Sequence, residues 1–205
     1  MNIEKLNDMG KAKSSFINMF LVLTAVCVVA ATALAAVYKA TAEPIRLSEE
    51  NKQKEAIKAV LPPFDELKTE KKALDMETEP SIYHKEAGAD SITLHHAFMN
   101  GEEIGVAVET FTNKGFGGLI RLMAGFTADG RINKVSVLSH AETPRLGSKM
   151  EDPTFYSQFE GKNPADFKLQ VKKDGGDVQA ITAATISSRA YCDALNTAYT
   201  TIQNQ

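Results

Sequence analysis

The stretch "EIGVAVETFTNKGFGGLIRLMAGFTADGRINKVSVLS", Glu103 to Ser139, decides the fold. Glu103–Thr112, Ile120–Thr127 and Ile132–Ser139 are rich in Val, Ile, Thr and Phe and are separated by clusters of Gly, Asn and Asp. Such runs favour pleated strands bounded by turns. Ala128-Asp129-Gly130-Arg131 has the composition of a hairpin turn. Asn113-Lys114-Gly115-Phe116-Gly117-Gly118-Leu119 joins the first two strands. Its glycines allow a tight turn or a close approach of backbone to a ligand. Taken alone, the segment reads best as a plain connection.

Working outward, Ser91–Phe98 alternates in polarity and runs into Asn100-Gly101, a second hairpin signal. The charge-rich segment 68–79 is expected to be surface loop or short helix. On the other side, His140 to Lys149 is a long irregular segment directly after a strand. Asp152-Pro153 has the form of an N-cap with proline at the first helical position, opening a short helix through Phe159. Phe167–Val171 and Val178–Ile181 read as strands around Asp174-Gly175-Gly176-Asp177. From Ser187 onward, Tyr191, Leu195, Ala198 and Ile202 recur at helical spacing. The domain is therefore α+β, an antiparallel sheet closed by a C-terminal helix.

Phe16–Tyr38 contains no Asp, Glu, Lys or Arg. As a helix it spans about 34 Å, enough for a bilayer core. Signal-peptide cores run about 7–15 residues, so this longer run reads as an uncleaved anchor. Lys5, Lys11 and Lys13 precede it and Lys39, Arg46 and Lys52 follow. The count is tied, and Lys11 and Lys13, close to the helix start, favour a cytoplasmic N-terminus. Ala56, Ile57, Val60 and Leu61 form one apolar face of a stalk helix that Pro62-Pro63 ends. The expected organisation is a tail over 1–15, a membrane helix over 16–38, a stalk and linker over 39–80, and a domain over 81–205.

Composition excludes several classes of function. The 205-residue chain has a formal net charge of −3 and no Trp. It has no basic stripe with interleaved aromatics, so nucleic acid is not an expected partner. Cys27 and Cys192 are too isolated for a zinc site and read as small buried residues. His95 and His96 are adjacent on a strand and point to opposite faces, so they do not chelate one metal. No HExxH or GxSxG is present, and no catalytic or metal-binding residue is assigned.

The remaining candidate is Thr182-Ala183-Ala184-Thr185-Ile186-Ser187-Ser188 at the start of the last helix. Hydroxyls there suit a phosphate, because free N–H groups and the positive dipole end converge. Read alone, the stretch fits an ordinary Ser/Thr cap better.

Three segments together resemble a known family: Lys114-Gly115-Phe116-Gly117-Gly118, Glu142-Thr143-Pro144-Arg145-Leu146-Gly147 and Thr182–Ser187. They resemble the FMN-binding domain of the G subunit of Rnf electron-transport complexes, shared with the C subunit of the sodium-translocating NADH:quinone reductase. The chain length fits the Rnf protein better. In the family pattern Ala183 and Arg145 are glycines, and Gln179 is an Asp. The Ala183 methyl is tolerable if φ is negative there. The resemblance implies a single membrane helix in the bacterial inner membrane, an extracytoplasmic domain, and FMN joined to Thr185 by a phosphoester. It implies that Thr182, Ala183, Ala184 and Ser187 surround the phosphate. Glu142, Thr143, Leu146 and Gly147 would line the flavin, with Gly117 and Gly118 allowing backbone approach. Lys149 is the expected counter-charge to a reduced flavin. The implied partners are other integral and peripheral Rnf subunits and a flavin transferase. The implied role is electron carriage between ferredoxin and NAD, coupled to Na⁺ or H⁺. The alternatives are the sodium-pump C subunit and a non-redox assembly subunit with an empty flavin site.

Overall fold

The computed structural model describes residues 16–73 and 91–204. It divides into two compact units between Glu50 and Asn51. Helix α1, Phe16–Val60, is continuous over 45 residues. It runs on through Pro44, well beyond the expected anchor over 16–38. Proline there removes only the bond to the Ala40 carbonyl. Arg46 pairs with Glu43 at 2.6 Å and also with Glu50, supporting the helix across this point.

In the first unit the side chains from Phe16 to Tyr38 are exposed on every side of the helix, Phe16 by 83% and Tyr38 by 73%. Thr32 and Thr41 donate their hydroxyls back to the Val28 and Val37 carbonyls at 2.8 and 2.9 Å. A helix apolar all round, with polar groups turned onto its own backbone, is built for an apolar solvent. It is long and apolar enough to cross a membrane. Cys27 lies exposed on this surface, whereas Cys192 is buried in the second unit. Burial pushes the Cys192 thiol up to about 12.

The second unit is built on a five-stranded antiparallel meander, β1 to β5 in sequence order. The strands are β1 Glu66–Ala73, β2 Ser91–Met99, β3 Glu102–Gly115, β4 Gly118–Thr127 and β5 Ile132–His140. Strand β1 replaces the expected loop or short helix at 68–79 over the residues described. Its Lys- and Glu-rich sequence fits a sheet edge, where charge discourages further pairing, and this masks the strand signal. The Asn100-Gly101 turn has φ of 53° and 84°, the left-handed pair a two-residue hairpin requires.

Each face of the sheet carries its own helix. Residues 185–203 form α3, Thr185–Gln203, whose Ala190, Tyr191, Ala194, Leu195 and Ala198 bury against Leu94, Val108, Leu122 and Phe126. Lys72 of β1 donates to the Asn204 carbonyl (2.8 Å), neutralising the negative end of α3. The short helix α2, Pro153–Tyr156, and a following 3₁₀ turn place Phe155 and Phe159 against Tyr191, with ring centroids 5.2 and 5.1 Å away. The expected strands at 167–171 and 178–181 reduce to one parallel bridge, Val171 to Val178. A 3₁₀ turn, Lys172–Asp174, and left-handed Gly175 lie between them and satisfy the backbone locally.

The opposite face holds the last turns of α1. Ala56, Ile57, Val60 and Leu61 pack on Ala97, Ala107 and Met123. Asn133 caps this end, donating its amide to the Val60 carbonyl at 2.6 Å. Gly125 permits the contact, since a Cβ there would sit 2.0 Å from the Val60 oxygen. His95 shares this face through its pairing with Ala107. It bonds Thr69 through Nδ1 (2.9 Å), and burial holds its pKa below 6.5.

Gly125→Ala is expected to lower stability by about 2 kcal/mol or more, because backbone must move, and thermal unfolding of the full chain measures it. His95 takes up its proton more readily once unfolded. Stability is therefore expected to be full above pH 6.5 and to fall as pH drops through the folded-state pKa. Stability curves of His95→Gln between pH 5 and 8 should lose that dependence.

Candidate functional site

Three segments meet at one end of the sheet. The first is the tight turn Gly115-Phe116-Gly117-Gly118 joining β3 to β4, with Gly115 paired to Gly118. Gly118 has φ of 99° and open space around it, so its role is the turn itself. Gly117 is needed for a close approach of another kind. A Cβ there would lie 2.0 Å from the Ala141 carbonyl oxygen, so it packs on protein backbone. Phe116 stands at the tip, 70% exposed.

The second segment follows β5. Glu142 turns inward and is only 6% exposed. Its Oε1 accepts the Gly117 N–H (3.1 Å) and its Oε2 accepts the Ser187 hydroxyl (2.6 Å). Its own N–H donates to His140 Nδ1 (3.1 Å). The chain then turns through Arg145, whose φ is 64°. The Leu146 and Ser148 N–H groups close the turn on the Thr143 carbonyl. Gly147 fits beneath, where a Cβ would meet Glu142 Oε2 at 2.4 Å and Ser187 Oγ at 2.5 Å.

The third segment is the start of α3. Ala184 occupies the N-cap position with φ of −135°, and no side chain caps the helix. Ser188 instead accepts the Ile181 N–H (2.9 Å) and donates back to the Ala184 carbonyl (3.0 Å). Ser187 donates to Glu142. Among the described residues the Thr182 and Thr185 hydroxyls have no hydrogen-bond partner. The ordinary cap that this stretch suggests is therefore not what its hydroxyls do.

A cavity of about 340 Å³ opens between these segments. Glu142, Thr143, Leu146, Gly147, Ala183, Ala184, Thr185 and Ser187 line it. Thr182, Gly117, Gly118 and Lys149 do not. Phe116 and Ile186 do, and sequence reasoning passed over them. Their signal was present: large apolar residues among glycines and hydroxyls, Phe116 in a turn and Ile186 at the very start of a helix. They remain 70% and 47% exposed. A larger cavity of about 520 Å³ runs along α3, but its charges are already paired. Arg189 binds Asp174 and Lys114 binds Asp193, each at 2.6 Å, which leaves no unpaired charge to fix a ligand.

The departures from the family pattern also have structural readings. Ala183 has φ of 61° and Arg145 of 64°, so both replaced glycines fall in the left-handed region. The condition for an unstrained methyl at Ala183, a negative φ, is not met, and the methyl is carried under strain of about 1 kcal/mol. Gln179 is exposed, and its backbone pairs with Gln158. Asp177 accepts the Lys168 N–H at 2.7 Å.

The uncapped helix start, an unpartnered hydroxyl and apolar walls can accommodate a phosphate joined to a flat apolar group. A family model described as "FMN-binding domain" matches residues 115–200, which run from the glycine turn through most of α3. Over 179 residues the chain is 36% identical to the G subunit of the ion-translocating oxidoreductase complex of Methanosarcina acetivorans, covering 86% of this chain and 88% of that one. It is 31% identical over 188 residues to the G subunit of the Na(+)-translocating ferredoxin:NAD(+) oxidoreductase complex of Acetobacterium woodii, covering 90% of each. The chain belongs to this family of G subunits. Among solved structures it is similar to Shewanella oneidensis NqrC, at 23% identity over 57% of this chain and 63% of that chain, with a TM-score of 0.43.

Ala183→Gly and Arg145→Gly are each expected to stabilise the protein by about 0.5–1 kcal/mol, raising Tm by about 2–4 °C. Ala184→Gly, at a negative φ, should not. Differential scanning calorimetry separates the three.

Proposed function

We propose that the protein is a membrane-anchored electron carrier of an Rnf-type ion-translocating complex, holding FMN through a phosphoester to Thr185. One observation carries this reading. Thr185 stands at the first position of an uncapped 19-residue helix, at the cavity wall, with its hydroxyl unpartnered while its Ser neighbours are committed elsewhere. Thr185 Oγ would take the place of one phosphate oxygen. The first-turn N–H groups of Thr185, Ile186 and Ser187 would hold the remaining charge. Phe116, Leu146 and Ile186 offer apolar surface to the ring, and Thr143 a polar edge. When bound, FMN supplies the redox chemistry, and the chain's own residues bind and orient it and limit water. A flavin transferase would deliver FMN from FAD, leaving AMP.

The name of the Acetobacterium woodii relative supports ferredoxin and NAD as the terminal partners and ion movement as the coupled process. The apolar part of α1 supports a single anchor over 16–38; on this reading 1–15 lies in the cytoplasm and the second unit, whose sheet already includes β1 at Glu66–Ala73, lies outside it. Other subunits of the complex would supply and remove electrons.

The test is in-gel flavin fluorescence of the full chain co-expressed with a flavin transferase. A fluorescent denatured band is expected for the parent and for Thr182→Ala, with none for Thr185→Ala. A band surviving in Thr185→Ala would overturn attachment at Thr185, and a dark parent band would overturn attachment altogether and favour an assembly role.

A further inference from the structure

Glu142 is the only ionisable side chain in the wall of the cavity, and it has no cation beside it among the described residues. Both of its oxygens accept hydrogen bonds, from the Gly117 N–H and the Ser187 hydroxyl, which is the bonding inventory of an ionised carboxylate. The nearby basic groups are engaged elsewhere or stand outside the wall. His140 turns Nε2 toward Glu151 (3.4 Å), Lys114 binds Asp193 and Arg189 binds Asp174. Arg145 and Lys149 do not line the cavity. Gly115 and Gly147 close around the carboxylate so tightly that a Cβ on either would touch its oxygens, at 2.6 and 2.4 Å. The charge is therefore enclosed and poorly screened by water.

We infer that Glu142 sets the redox potential of the site, its enclosed and unpaired negative charge opposing the uptake of electrons by a flavin held at Thr185. This rests on the flavin reading above and deepens it. Reduction moves an electron from a donor to the flavin, oxidising the donor and adding negative charge to the ring. A fixed anion in the same low-dielectric wall destabilises that product relative to the oxidised ring. The site would thus be kept reducing, suited to handing electrons on. The counter-charge expected from Lys149 is absent from the wall, so no cationic side chain in the lining offsets Glu142.

The experiment is a spectroelectrochemical titration of the flavin-loaded full chain. The parent is compared with Glu142→Gln, which removes the charge, and Ser187→Ala, which removes a hydrogen bond but keeps it. The midpoint should move to more positive potential in Glu142→Gln and stay near the parent in Ser187→Ala. An unmoved or more negative midpoint in Glu142→Gln overturns the inference. So does an equal positive shift in Ser187→Ala, since that would make the role purely structural. Should Glu142→Gln not load, the charge-retaining Glu142→Asp takes its place. The inference then requires both Glu142→Asp and Ser187→Ala to hold near the parent potential, and a clear positive shift in either overturns it. Loading is read separately from the fluorescence of the denatured band. A dark parent thus counts against Thr185, and a loaded parent with the wrong shifts counts against Glu142.

Discussion

The buried carboxylate of Glu142 joins three parts of the chain that are far apart in sequence. One oxygen receives the Gly117 N–H from the β3–β4 turn and the other the Ser187 hydroxyl from α3, while Gly147 fits against the second oxygen and that hydroxyl. A charge taken out of water is costly unless its lone pairs are used, so this point tolerates little rearrangement. Glycine at 115, 117 and 147 follows from the same constraint, because each packs directly against Glu142 or its backbone neighbour. The candidate cavity lies in the angle these segments make.

That arrangement decides the state of the α3 start. Ser187 reaches sideways to Glu142 and Ser188 reaches back to the Ile181–Ala184 turn, so neither caps the helix. The turn is held by Ala183 in a left-handed conformation that alanine adopts at a cost. The result is a helix end with no side-chain cap on its first N–H groups and, among the described residues, an unpartnered Thr185 hydroxyl beside it. A purely structural helix start would have used those hydroxyls on its own N–H groups.

Much of the fold was legible because turn chemistry is local. Asn100-Gly101 and Asp129-Gly130 announce hairpins, and the Tyr191, Leu195, Ala198 spacing announces a helix with one buried face. Strand β1 was hidden because an edge strand with lysines and glutamates carries no apolar alternation to read. The segments at 167–171 and 178–181 have strand composition, but their backbone is satisfied by a local turn and a single bridge. At the site, Thr185 and Glu142 were legible as residue types in a pattern. Gly117 was misread as an approach to ligand, because a glycine reports close contact without saying with what.

The sequence by itself determined the antiparallel meander, the closing helix, the apolar N-terminal run and the identity of the segments with chemistry in them. These depend on periodicity and turn residues, which act over a few positions. Only the tertiary structure decided which hydroxyl is free and which glycines face protein rather than ligand. It also decided that Ala183 and Arg145 are left-handed and that Glu142 has no cation beside it among the described residues. Those properties depend on distances between residues dozens of positions apart, such as the 2.6 Å from Ser187 to Glu142. A local pattern carries no information about such a distance until the chain has folded.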